Sequence, residues 1–511
     1  MNVSSKLVFF GIQDNVNTSN NITFDLSGSS DFVTSFFCLS SEFFLVFFFI
    51  FFFLFFLYSS LFKKLNITHL NALCLIFLSN LFLTVYHPVT SFFCFSNMFY
   101  CDDRIFFFKI FFTIAGFLYM CLIRQRIKMD FLSYDFFFLI FLVLVAMQWL
   151  FSVNNFVYFY LLIELISLAA YVLSSFDVFS AKSTEAGLKY FVVGSLASIF
   201  LLYSISFFYG VFGTTTFSDL YLLSAVLVNN EGMQHMYNLA VFSVTLLVCS
   251  LLFKLGLAPL HLWIVDVYSG LNYVVFSFFS IFYKFIFFFL LYKFFVYTFF
   301  FFFTHIYFIL IIFAIMSIIV GCFGAFVTDD IRKILVYSSI NHGGFLCLGL
   351  LNLSIFGYFS FVFYLFVYTY LLFFLFFVFF KFEILNNARA LDSLSDLSAV
   401  RGVSAVSAVS LIMILFSMAG IPPFIGFFSK FFIFFNLFQY FFNLNFFLVF
   451  LLLFLSGISI FVYLRMIAFV FFDAESYVFQ FNVRSNFFYK AGLFVFSLLN
   501  FFCLFFFYLV F

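Results

Sequence analysis

Phe253-Lys254-Leu255-Gly256-Leu257-Ala258-Pro259-Leu260-His261 and Ala419-Gly420-Ile421-Pro422-Pro423 interrupt two long apolar runs with glycine and proline. Proline removes a backbone donor and frees carbonyls one turn back. In a bilayer such breaks persist only where protein or a water-filled cavity satisfies the freed groups. Pro259 and Pro422 lie about 163 residues apart. If one unit begins near 131 and the next near 297–299, each break falls roughly 125 residues into its unit, as in transporters built from repeats with interrupted helices. Five helices per unit is an odd number, so the second unit would insert upside down relative to the first. An ordinary proline kink is the alternative at either position taken alone.

The surroundings of these breaks are those of a membrane protein. Of 511 residues 67% are hydrophobic and 8% charged, and the mean hydropathy is +1.24. A soluble domain carries about 25% charged residues, so disorder, nucleic-acid binding and a cytosolic enzyme are excluded. Apolar runs long enough to span lie near 42–61, 66–87, 105–124, 131–151, 155–176, 187–210, 238–257, 271–295, 297–321, 332–352, 354–381, 405–437, 445–472 and 490–511. The expected fold is all-α and polytopic, with about 14 transmembrane helices and two inverted five-helix repeats, each with a broken helix. The runs are continuous rather than alternating, which rules out a β-barrel. The chain then divides into a polar extension 1–41, N-terminal helices 42–130, a first repeat 131–295, a second repeat 297–472, and a loop with the last helix 473–511.

Charge placement agrees with this count. Lys63, Lys64, Arg124, Arg126, Lys128, Lys182, Arg332, Lys333, Lys381, Arg389, Arg401, Arg484 and Lys490 fall on one side. Lys6, Arg104 and Lys293 fall on the other. That asymmetry obeys the positive-inside rule and puts both termini on the outer side. Phenylalanine numbers 110, far beyond any packing need, and reads as drift in an A/T-rich organellar genome. The outer side would then be the intermembrane space. The net charge of +1 selects no acidic or basic partner.

Glu164, in Tyr160-Leu161-Leu162-Ile163-Glu164-Leu165-Ile166, is the one acid deep in an apolar run. A central charge costs about 2.5–3.5 kcal/mol on insertion scales, so it needs a partner or a proton. A structural ion pair is the plain alternative to a functional role. Lys254 at the first break, Lys284 near the centre of the next span and Lys430 beyond the second break are the candidate partners. Lys189, His261 and His342 are possible relays, each with an anchoring or structural role open to it. Lys109 and Arg465 read as helix-end anchors. Burial disfavours a lysine's ammonium and a nearby carboxylate restores it, so a row of such groups can be a switchable proton wire.

Nine cysteines occur without any Cys-x-x-Cys pair, and there is no GxGxxG or Walker loop. No redox centre, metal or nucleotide site is identifiable. Cys94 and Cys101 share one connecting segment and read as thiols, with a disulfide as the alternative. The triplets at Asn17, Asn21 and Asn66 matter only in a secretory protein.

Five stretches, in order, resemble the antiporter-like subunits of respiratory complex I. They are Leu162–Tyr171, Thr184–Phe191, Phe253–Trp263, Arg332–His342 and Ala419–Phe431. The resemblance runs from about 131 to 472. It implies a proton-translocating subunit of NADH:ubiquinone oxidoreductase in the mitochondrial inner membrane, with Glu164 paired to Lys254 at an entry half-channel, Lys284 central and Lys430 near the exit. It places His261 and His342 on the polar axis. It also implies neighbouring membrane-arm subunits as partners and cardiolipin-like lipids as compatible ones. NAD, FMN, iron–sulfur clusters and ubiquinone would be held elsewhere, none by this chain. A cation/proton antiporter subunit and a scaffold that has lost pumping are the competing readings.

Overall fold

The computed structural model describes residues 39–59, 67–85, 92–126, 134–177, 180–229, 231–352, 354–385, 392–398, 400, 405–440, 446–472 and 500. The polar extension before 39, the final helix near 490–511 apart from Asn500, the Asn17, Asn21 and Asn66 triplets, and Lys6, Lys63, Lys64, Lys128, Arg389, Arg401, Arg484 and Lys490 all lie outside the described residues.

Among the described residues, sixteen α-helices succeed one another: α1 Ser40–Ser59, α2 Ile67–Val85, α3 Asp103–Arg126, α4 Tyr134–Ser152, α5 Phe156–Ser174, α6 Ala181–Phe212, α7 Phe217–Asn229 and α8 Gln234–Leu255. After the first break come α9 Leu262–Gly270, α10 Tyr273–Tyr297, α11 Phe303–Val327, α12 Ile331–Gly349 and α13 Ile355–Leu385. The second break separates α14 Ala405–Ala419 from α15 Ile425–Tyr440, and α16 is Phe446–Phe472. Among the described residues, nine helices are long and apolar enough to cross a membrane, and α1, α2, α7, α14 and α15 contain shorter apolar stretches. In α12, Arg332, Lys333, Ser338, Ser339, Asn341 and His342 dilute the apolar run. The run near 405–437 is two helices rather than one. One short hairpin, β1 Phe92–Cys94 with β2 Phe99–Cys101, departs from the all-helical expectation. Its turn uses left-handed backbone at Phe95, Ser96 and Asn97. Cys94 and Cys101 hydrogen-bond through their thiols there, and no disulfide joins them.

α10 is the axis of the fold. It packs against α4, α8 and α13, and its whole span is buried inside the protein. A helix apolar all round belongs in such a position. The outer helices instead turn large apolar side chains outward; Phe308 is 69% exposed and Phe454 67%. α11 and α12 pack closely because glycines line the seam. A Cβ at Gly321 would sit 2.6 Å from the Asn341 backbone nitrogen, and one at Gly344 2.3 Å from Ser317 Oγ.

Both breaks are built alike. α8 ends at Gly256 (φ 66°) and α14 at Gly420 (φ 84°), left-handed positions that favour glycine. Proline three residues later, Pro259 or Pro423, keeps the chain from resuming at once. A new helix then starts, α9 or α15.

Two cations, Lys109 and Lys293, differ from their expected places. Lys109 is no helix-end anchor: it is wholly buried in α3 and paired with Glu42 of α1, also wholly buried. Ser41 Oγ donates to Glu42 at 2.5 Å, and Ser152 Oγ, at the end of α4, reaches it at 3.5 Å. Lys293 lies inside α10, 2% exposed, and donates to the carbonyls of Phe151 at 2.7 Å and Val153 at 2.5 Å. It thus caps the carbonyl end of α4, where an ammonium is favoured. Arg465 anchors to protein, donating to the Phe326 carbonyl at 3.0 Å beside the end of α11.

A buried line of lysines

α5 begins where Asn155 accepts from the Val157 amide at 2.8 Å, an N-cap that sets the helix start. Glu164 is its ninth residue and is half-buried. Ser167 Oγ reaches its carboxylate at 3.4 Å and its carbonyl at 2.9 Å.

Lys254 is the last residue but one of α8, immediately before the first break. Its carbon stem is partly exposed, yet its Nζ is enclosed and has no hydrogen-bond partner among the described residues. Glu164 lies within electrostatic reach, but the two do not touch. Lys254 borders a small internal cavity with Ser167, Tyr171, Tyr190, Trp263 and Tyr283. The expected pair is therefore separated, with hydroxyl-bearing side chains around the gap.

Lys284 comes directly after a π-helical turn, Phe279–Tyr283, in the middle of α10. Such a turn adds a residue to the helix and re-aims the side chains beyond it. Lys284 is 2% exposed, and its Nζ likewise has no hydrogen-bond partner among the described residues. Tyr283 beside it donates to the Ile166 carbonyl at 3.0 Å, tying this turn to the helix of Glu164.

His342, on α12, is 4% exposed and lies within electrostatic reach of Lys284 and Lys430. Its Nδ1 is 2.7 Å from the Tyr364 hydroxyl and its Nε2 is 3.0 Å from that of Tyr463. Lys430, on α15, donates to the Ala419 carbonyl at 2.7 Å, a group exposed by the second break. Its Nζ also sits 5.5 Å from the centre of the Phe345 ring.

Two of the possible relays lie off this line. Lys189 is exposed and paired with Glu185 at 2.8 Å and Asp266 at 3.4 Å. It borders an open polar vestibule together with Asp177, Lys182, Asp330, Arg332 and Lys333. His261 sits in the turn of the first break and donates from Nδ1 to the Pro259 carbonyl at 3.2 Å. Tyr364 and Tyr463 are not apparent from the sequence, where a tyrosine among aromatics carries no signal. Glu42 begins an apolar run and Lys109 interrupts one, signals too weak to show that they meet.

Chemically, Glu164, Lys254, Lys284, His342 and Lys430 each carry a group able to gain or lose a proton; Lys284, His342 and Lys430 are buried, and Glu164 and Lys254 are half-buried. Among the described residues no group of three or more His, Cys, Asp or Glu side chains could hold a metal ion.

Residues 153–459 match the family described as NADH:quinone oxidoreductase/Mrp antiporter, TM. Relatives named NADH-quinone oxidoreductase subunit N include one from Paramagnetospirillum magneticum, 31% identical over 64% of this chain and 66% of its own length. Another, from a Wolbachia of Brugia malayi, is 33% identical over 66% of this chain and 70% of its own. These matches span about two thirds of the relatives' length. In fold, the chain is similar to one in respiratory complex I from Thermus thermophilus with bound aureothin (TM-score 0.68, 21% identity, 90% of this chain and 96% of that one). It is also similar to a chain of an archaeal membrane-bound sulfane sulfur reductase (TM-score 0.73, 18% identity, 91% and 92%).

Proposed function

Since the chain belongs to the family of NADH:quinone oxidoreductase and Mrp antiporter transmembrane subunits, we propose that it is a proton-translocating core subunit of the membrane arm of complex I, the counterpart of NADH dehydrogenase subunit 2. Redox chemistry in other subunits drives it. Protons move along Glu164, Lys254, Lys284, His342 and Lys430, and the neighbours are other membrane-arm subunits, including antiporter-like ones. The phenylalanine-rich composition supports an organellar gene and hence the mitochondrial inner membrane, with both termini toward the intermembrane space. The two similar breaks support two five-helix repeats of opposite orientation, over 131–295 and 297–472.

The observation that carries this reading is the placement of Lys254, Lys284 and Lys430. Two of them have an enclosed Nζ with no hydrogen-bond partner among the described residues, and the third holds a carbonyl of a broken helix. A buried cation of this kind contributes little to stability. A stepwise proton path needs such groups.

The test is Lys254→Met in the assembled complex, with assembly checked on a native gel stained for NADH oxidation. Proton pumping and coupled NADH:quinone turnover should fall while the complex remains intact. Unchanged proton stoichiometry in an assembled variant would remove Lys254 from the path. Migration of the chain apart from the NADH-oxidising band would favour the cation/proton antiporter reading.

A further inference from the structure

His342 differs from the lysines around it in being able to give and take a proton at once. A lysine ammonium only donates, so two charged lysines cannot exchange a proton directly. Between a charged and a neutral lysine, an amphoteric group can take a proton from one and give one to the other. His342 lies within electrostatic reach of both Lys284 and Lys430, and each of its ring nitrogens meets a tyrosine hydroxyl, at 2.7 Å from Tyr364 and 3.0 Å from Tyr463. The hydroxyls come from two further helices, α13 and α16. Both tyrosines are almost fully buried, and Tyr368 packs on the imidazole with ring centres 5.0 Å apart. Cys322 lies within electrostatic reach of both Tyr463 and Lys430.

We propose that Tyr364 and Tyr463 are relay residues that pass a proton across His342 by exchange of its tautomers. This deepens, and rests on, the proton-translocating reading above. Take Nδ1 as the acceptor from Tyr364 and Nε2–H as the donor to Tyr463. A proton reaching the Tyr364 oxygen forms a new O–H bond, and the original hydroxyl proton moves to Nδ1. The Nε2 proton moves to the Tyr463 oxygen, whose own proton leaves toward a neutral Lys430 amine. Three bonds to hydrogen form and three break within the triad, and the ring is neutral before and after. Transfer of one proton from Nδ1 to Nε2 through a water molecule then restores the starting tautomer. The advantage is electrostatic: no positive charge settles on the ring beside a lysine ammonium in a medium of low dielectric constant.

A merely structural clamp makes a different prediction. His342→Gln keeps one donor and one acceptor for the two hydroxyls but has no second tautomer to exchange. In sealed vesicles holding the assembled complex, His342→Gln, Tyr364→Phe and Tyr463→Phe should each lower NADH-driven proton pumping by about tenfold or more, with assembly on a native gel retained. Wild-type pumping in His342→Gln, or in both tyrosine variants, would overturn the relay. Should a tyrosine variant fail to assemble, His342→Gln decides the matter. Lys430→Met separates this proposal from the reading beneath it. Loss of pumping there with normal pumping in the other three would sink the relay alone. Normal pumping in Lys430→Met as well would sink the functional reading.

Discussion

Lys430 and Gly420 occupy the same corner of the second break. The lysine donates to the carbonyl of Ala419, and a Cβ added to Gly420 would stand 2.9 Å from its Cδ and 3.2 Å from its Nζ. Gly420 also sits at φ 84°. Gly420→Ala should therefore cost about 1–2 kcal/mol of backbone strain and displace the ammonium. We expect proton flux per assembled complex to fall more than the amount assembled. Flux normalised to the native-gel band measures this, and an equal fall in both would mean that the glycine serves folding only.

Glu164 is positioned by its helix and touched by one serine, so its charge can be removed at little structural cost. Glu164→Gln should assemble normally and lose most coupled turnover, whereas Glu164→Asp should keep part of it. NADH:quinone turnover with and without an uncoupler reads the difference.

The Glu42–Lys109 pair joins α1 to α3 with no exposure on either side chain. Removing one partner leaves a buried charge alone, at about 3–5 kcal/mol. Glu42→Gln and Lys109→Met should each lower the melting temperature of the solubilised complex. The double variant should recover much of that loss. A double variant as unstable as the sum of the two singles would show that the charges act independently.

Two lysines provide a contrast in what assembly requires. Lys293→Met strands the carbonyls of Phe151 and Val153, each worth about 1–3 kcal/mol when left unsatisfied, and should reduce the amount of assembled complex. Lys189→Gln removes an exposed ammonium and should leave that amount unchanged. Native-gel band intensities compare the two directly.

The breaks at Gly256 and Gly420 are legible in sequence because glycine and proline act on the backbone locally. Glu164, Lys254, Lys284 and Lys430 stand out because charge in an apolar run is costly wherever the chain goes. Which side chains meet is not legible. Glu42 and Lys109 are 67 positions apart, and His342 and Tyr463 are 121. No periodicity encodes those encounters. Lys293 reads as a water-facing residue because an ammonium near the end of an apolar run ordinarily reaches for solvent. Here the carbonyl end of α4 takes the place of water. Lys189 reads as a relay from its helix alone, whereas Glu185 and Asp266 hold it at the rim.

The burial of α10 bears on how the protein responds to its lipid. Because the span Tyr273–Tyr297 is enclosed, acyl chains and detergent tails meet other helices first. Exchanging one amphiphile for another changes what surrounds Phe308 and Phe454, not what surrounds Lys284. Sensitivity to bilayer thickness or headgroup would consequently reach the central lysine only through tilts of the helices packed on α10. A delipidated preparation with those helices in place retains the same interior solvent for Lys284.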